Sequence, residues 1–174
     1  MIQALIFSFV SIFILKLSWT SLKNPRSHGF FRFFAFESIL MMVCYDLAVW
    51  FKNPLSIYQL ISWILFIFSV VVVTYSFLLF KRIGRPSGNI ENTTSLVQTG
   101  IYRYVRHPLY LSLILGSAGV FLKQIDLFTT ILFGISLISI YLTAKFEEAE
   151  NQLKFGVNYT QYIQKTKMFI PFIF

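Results

Sequence analysis

The amino-acid sequence predicts an all-α, polytopic membrane protein with about five transmembrane helices and a C-terminal amphipathic helix lying on the membrane face. Three observations carry this. Hydrophobic residues make up 56% of the 174 positions and charged residues only 13%, where a soluble domain carries roughly 25% charge. The apolar residues gather in long runs separated by short segments rich in Lys, Arg, Asn, Pro and Gly. Beyond the last long run the pattern changes to polar residues with an apolar position every three or four.

The formal net charge is +8. The basic residues sit in the short segments between apolar runs, where they set orientation and meet anionic headgroups. No soluble basic face is left to bind phosphodiester backbones, so nucleic acid is not an expected partner. One cysteine, Cys44, and two histidines, His28 and His107, exclude a disulfide framework and a multi-histidine metal site.

Met1 to Trp19 is the first apolar run. It lacks a basic leader and a small-residue cleavage site, so it reads as a membrane helix rather than a cleaved signal. Lys16 snorkels to the interface. Thr20 to Gly29 is a polar turn, broken at Asn24-Pro25 and Gly29, with His28 as a loop residue. Phe30 to Phe51 is the second run. Arg32 and Glu37 are expected to pair on it, and Asp46 to sit near the headgroups, because ionisable groups at membrane depth are costly. Lys52-Asn53-Pro54 turns the chain into the third run, Leu55 to Phe80, long enough to span roughly 30 Å of hydrocarbon.

Lys81 to His107 is the longest polar stretch. Lys81, Arg82, Gly84, Arg85, Pro86 and Gly88 mark an interfacial loop, and Asn92 to Ser95 suit a cap or side-chain turns. Leu109 to Leu122 and Leu127 to Ala144 then read as a tight helical hairpin around Lys123 to Asp126. Gly116, Ala118 and Gly119 on one arm and Gly134 and Ser136 on the other permit close approach. Phe146 to Lys167 is the expected amphipathic helix or helix pair, and Phe169 to Phe174 an apolar tail docking back on the bundle. The whole, 1–174, is expected to be one domain, with three spans in 1–80 and a cofactor-binding half in 81–171. Basic residues concentrate in the first and third loops and after the fifth span, which places the N-terminus outside and the C-terminus in the cytoplasm.

Two polar clusters fall on that cytoplasmic side. Arg106-His107-Pro108 ends a loop and starts a helix. Pro suits the first turn and leaves backbone N–H groups near His107 for a carboxylate. Glu147 and Glu148 lie at the far end of the fifth span. Donors and a cation from one element would face carboxylates from the other, which suits a zwitterionic ligand with an amino-acid end and a ribose. The same residues are compatible with an interfacial anchor and a solvated helix face.

The stretch Thr99-Gly-Ile-Tyr-Arg-Tyr-Val-Arg-His-Pro-Leu-Tyr110 resembles the signature of the isoprenylcysteine carboxyl methyltransferase and phospholipid methyltransferase superfamily. So does Glu147-Glu148 followed by Leu153, Phe155-Gly156, Tyr159, Tyr162 and Ile170-Pro171. The resemblance implies an integral membrane enzyme using S-adenosylmethionine at the cytoplasmic face. It implies that Thr94, Ser95, Leu96, Val97 and Tyr102 line the cofactor, that His107, Pro108, Leu109 and Tyr110 form the floor, and that Glu147 binds the cofactor, with Glu148 a close second. Glu148 and Arg106 are the candidate catalytic residues, Glu148 as base for an amine acceptor; Glu37 and Asp46 are further base candidates. Glu150 is expected to be peripheral. The acceptor would be lipophilic, an isoprenylcysteine carboxylate or a phospholipid-like amine, entering from the bilayer. Three positions depart from the pattern: Ile101 where Pro is frequent, Ser112 where Gly is common, and Thr143 where the isoprenylcysteine branch has an Arg, with Lys145 nearby as a point charge. Two alternatives stand beside this reading: a nicotinamide-dependent reductase of a sterol-like lipid, for which no glycine fingerprint is present, and a non-enzymatic membrane module.

Overall fold

Small and polar residues make up much of what the helices of this chain bury. The computed structural model describes residues 2–84 and 94–173; the proposed loop positions 85–88 and the cap at Asn92-Thr93 lie outside them. In order, the elements are α1 (Ile2–Leu22), α2 (His28–Asp46), α3 (Ile57–Gly84), a 3-10 turn (Gly100–Arg103), α4 (Pro108–Phe121), α5 (Leu127–Phe155) and α6 (Val157–Lys165). The described residues form no sheet; Val105 and Lys167 make a single parallel bridge. α1, α3 and α5 are long and apolar enough to cross a membrane, and α4 is a shorter apolar helix.

The burial pattern inverts that of a soluble bundle. α1 buries only Ser18, and α3 buries Gln59, Ser62, Ser76 and Gly84. Their apolar residues, among them Phe9, Ile12, Ile67 and Val70, point outward. A hydrocarbon surround exerts no hydrophobic drive between helices, so close packing and hydrogen bonds hold them instead.

The small residues of α4 serve a different neighbour from the one the sequence suggests. α5 packs chiefly along α2, and α4 along α3. Ser62 donates to the Gly119 carbonyl at 2.6 Å and Ser69 to the Ser112 carbonyl at 2.7 Å. A methyl group at Gly119 would come within 3.0 Å of the Phe66 ring, whereas one at Gly134 would meet nothing within 4 Å. The α4–α5 turn is fixed by a capping box: Asp126 accepts from the Thr129 N–H while Thr129 accepts from the Asp126 N–H.

Two acidic residues of α2 carry buried carboxyl oxygens. Glu37 accepts from Ser11 of α1 at 2.9 Å through one carboxyl oxygen, and the other, buried, has no hydrogen-bond partner. Asp46 is fully buried, and neither carboxyl oxygen has a hydrogen-bond partner. His28, expected in a loop, is the first residue of α2.

α5 does not stop where the chain turns polar at Lys145. No breaker occurs before Gly156, so the helix runs on to Phe155 and α6 is left with nine residues. Gly156 has φ 55 and ψ −130, a conformation that favours residues without a Cβ, and it lets α6 turn back beneath the bundle. Of the apolar tail expected to dock, Phe169 does, buried with Met168, Ala35, Ile140 and Ala144, whereas Ile170, Phe172 and Ile173 stay exposed.

Candidate functional site

The extension of α5 and the return of α6 enclose a cavity of about 650 Å³, a size typical of small-molecule sites. Helical periodicity decides which side chains reach it. Glu147, Glu150, Asn151 and Lys154 share one face of α5 and line it; Glu148, about 100° round the helix, does not. His28, Arg32 and Phe36 recur every four residues along α2 and line it too.

Glu147 accepts a hydrogen bond from the Tyr110 hydroxyl at 2.5 Å. Tyr110 in turn stacks on His107, ring centroids 5.5 Å apart. His107, Pro108 and Leu109 line the same cavity, with Ser95, Leu96, Val97 and Tyr102. Ser95 donates to the Ile83 carbonyl at 2.5 Å, which ties the lining segment to the end of α3. Tyr102 is buried between α3 and α6: its hydroxyl faces the Ser76 carbonyl at 3.4 Å, and its carbonyl accepts from Tyr162 at 2.6 Å. Burial pushes the phenols of Tyr102, Tyr159 and Tyr162 well above their ordinary range, so all three are neutral donors. Gly100, at φ 60, opens the 3-10 turn against Tyr75 and Leu79.

Thr94 lies at the edge. Its N–H donates to the Gly84 carbonyl at 3.0 Å, and it does not line the cavity.

Glu148 and Arg106 form the internal brace of this assembly. Arg106 Nε donates to Glu148 Oε1 at 2.7 Å, and both side chains are 9% exposed. Arg106 Nη1 also donates to the carbonyls of Ile163 at 3.3 Å and Thr166 at 2.5 Å. His107 Nε2 stands 3.5 Å from Glu148 Oε1, and Lys145 Nζ 3.6 Å from Oε2. Lys145 therefore faces Glu148 and not the cavity, while Thr143 bonds within its own helix to the Ser139 carbonyl at 2.7 Å.

Two backbone donors just ahead of α4 are engaged. Arg106 N–H donates to the Lys167 carbonyl at 2.8 Å and His107 N–H to that of Met168 at 3.1 Å. The segment just ahead of α4 is thus tied to the chain's own later segment.

Glu150, expected at the periphery, pairs with His28 across the cavity wall: Oε2 lies 2.6 Å from the ring Nδ1 and Oε1 accepts from the His28 N–H at 3.2 Å. The sequence reading missed His28, Arg32, Phe36, Asn151 and Lys154. Their i, i+3, i+4 spacing on two helices was the available signal.

A carboxylate and hydroxyl-bearing residues thus line a cavity at one end of a lipid-facing helical bundle. The family model of the phospholipid methyltransferases matches residues 57–157, more than half of the chain, and the chain belongs to that family. It is accordingly a methyltransferase of membrane, lipid-like substrates. The matched region spans α3 to the start of α6, so the α2 side of the cavity lies outside it. A search of curated proteins finds no match.

Proposed function

We propose that this chain transfers the methyl group of S-adenosylmethionine to a lipid-borne acceptor. The observation that carries the reading is Glu147, a carboxylate held by Tyr110 in the cavity wall beside the His107-Pro108-Leu109 floor. The donor set fits the cofactor: a carboxylate for an amino group or ribose hydroxyls, the Asn151 amide, and apolar walls at Leu96, Val97 and Leu109. Bound there, S-adenosylmethionine supplies a methyl group on an electrophilic sulfonium. The chain's own contribution is to orient both partners in line and to exclude water.

The acceptor enters from the bilayer on the α2–α3 side. Phe36 of α2 and Val73 of α3, the latter 38% exposed toward lipid, are apolar cavity residues there. Arg32, one turn from Phe36, lines the same wall. An amine acceptor must first lose a proton. None of Glu148, Glu37 and Asp46 lines the cavity, whereas His28 and Glu150 do. In this reading the His28 ring, paired with Glu150, serves as the base. All five helices α1 to α5 cross the membrane, and the basic loops around the cavity face the cytoplasm with the N-terminus outside.

The test is calorimetric titration of detergent-purified protein with S-adenosylhomocysteine, with NADPH in parallel. Saturable binding of the first, lost in Glu147→Gln, is expected. Binding of NADPH alone would replace the methyltransferase reading with a nicotinamide one, and unchanged affinity in Glu147→Gln would remove Glu147 from the site.

A further inference from the structure

A second polar cavity, of about 610 Å³, lies at the opposite end of α4, between the α2–α3 loop and the α4–α5 turn. Lys123 sits in its wall, only 6% exposed. Its ammonium lies 3.8 Å from the Trp63 ring centroid, 5.3 Å from Trp50 and 5.4 Å from Phe66, and it donates to Gln59 Oε1 at 2.8 Å. Aromatic faces and one amide oxygen attract a cation but carry no net charge. Among the described residues no carboxylate comes within ion-pair distance of it. The nearest acid in sequence, Asp126, is committed to Thr129 N–H, Gln124 Nε2 and the Tyr45 hydroxyl. Asp46, the other acid at this end, is fully buried and makes no hydrogen bond to Lys123. Burial disfavours the charged ammonium, as an uncompensated charge requires.

The rest of the cavity adds charge of the same sign. Lys52, Asn53, Ser56 and Gln124 line it, and among the described residues no acidic one does. Its surroundings are apolar and open to lipid: Leu55 is 84% exposed, Leu127 77%, Ile57 63% and Ile125 53%. Two cations and neutral donors ringed by lipid-facing aliphatics match a molecule with an anionic head and hydrocarbon tails.

We propose that this cavity binds the headgroup of an anionic phospholipid, at the membrane face opposite the methyltransferase cavity. The phosphate supplies the negative charge that Lys123 and Lys52 lack, and the acyl chains lie along Leu55, Ile57, Ile125 and Leu127. The proposal is independent of the methyl-transfer reading, because no residue is shared between the two cavities.

The experiment uses the full chain, delipidated in dodecylmaltoside and supplied with phosphatidylglycerol, phosphatidylcholine or inorganic phosphate. Native mass spectrometry reads bound lipid, and thermal unfolding reads stabilisation. Phosphatidylglycerol is expected to be retained and to raise the midpoint. Lys52→Gln, at an exposed position that leaves the fold intact, should weaken retention about fivefold, the worth of one basic residue beside an anionic lipid. S-adenosylhomocysteine affinity, or its absence, should be the same in Lys52→Gln and the native chain. Equal stabilisation by phosphatidylcholine, stabilisation by inorganic phosphate alone, or unchanged phosphatidylglycerol retention in Lys52→Gln would each overturn the proposal.

Discussion

Replacing Arg106 by Gln tests whether the charge beneath the site is a brace or a reagent. Arg106 and Glu148 are 9% exposed and 2.7 Å apart, so the substitution leaves a buried carboxylate without its main partner. What remains is Lys145 at 3.6 Å, on a side chain 48% exposed, and His107 at 3.5 Å. Breaking a buried pair from one side costs about 3–5 kcal/mol. The carbonyls of Ile163 and Thr166 lose their donor as well, about 1 kcal/mol each where no water replaces it. For a chain of this size each kcal/mol moves the unfolding midpoint by roughly 2–4 °C. Arg106→Gln should therefore unfold roughly 6–28 °C lower in detergent, followed by tryptophan fluorescence. Adding Glu148→Gln removes the orphaned charge, so the double variant should recover most of the loss, a coupling that a double-mutant cycle reads directly. A midpoint within about 2 °C of the native chain for Arg106→Gln, or a double variant no better than the single, would refute the brace. Arg106 would then be acting on a bound molecule.

Three further outcomes follow from the geometry. Tyr110→Phe removes the hydroxyl that holds Glu147 at 2.5 Å; S-adenosylhomocysteine affinity should fall roughly tenfold, the scale of one hydrogen bond to a charged group, with little change in unfolding midpoint. His28→Gln should lower kcat for an amine acceptor by about 10²-fold and leave cofactor-analogue affinity intact; an equal loss in both would make His28 a wall residue only. The third concerns acid. The Thr129 N–H, with Gln124 and Tyr45, holds the Asp126 carboxyl down to about 2, below the unfolded value near 3.9. A depressed folded pKa stabilises above the unfolded pKa, and that stability drains away as pH falls from about 4 to about 2. Asp126→Asn should flatten this part of the pH profile of the unfolding midpoint; an unaltered profile would count against the cap.

The helices were legible in the sequence because apolar runs bounded by Pro, Gly and Asn leave little choice in a solvent of lipid. Their partnering was not. Gly116 and Gly119 announce close approach, yet nothing local says that α3, through Ser62, Ser69 and Phe66, is what approaches them. The end of α5 was misread because a polar residue at Lys145 is not a helix breaker; the first breaker is Gly156. At the site, the resemblance to a known family signature implied Tyr102 and the His107 to Tyr110 floor, and the polar clusters themselves pointed to His107 and the paired glutamates. Telling Glu147 from Glu148 needed only the 100° step of the helix once both neighbours were known. The α2 wall was invisible, since 122 residues separate His28 from Glu150 and no local pattern encodes that distance.

The docking of residues 163–169 onto the start of α4 also sets an order of events. Arg106 waits on the Thr166 carbonyl, 60 residues later in the chain. At translation speeds of about 5–20 residues per second, the Arg-His-Pro segment exists for roughly 3–12 s before its partner has been made. During that interval the early helices can enter the bilayer while the cavity floor has no anchor. The nascent protein thus passes through a membrane-inserted stage in which the cavity is still incomplete, and the same stage is the one a quality-control protease or chaperone would meet.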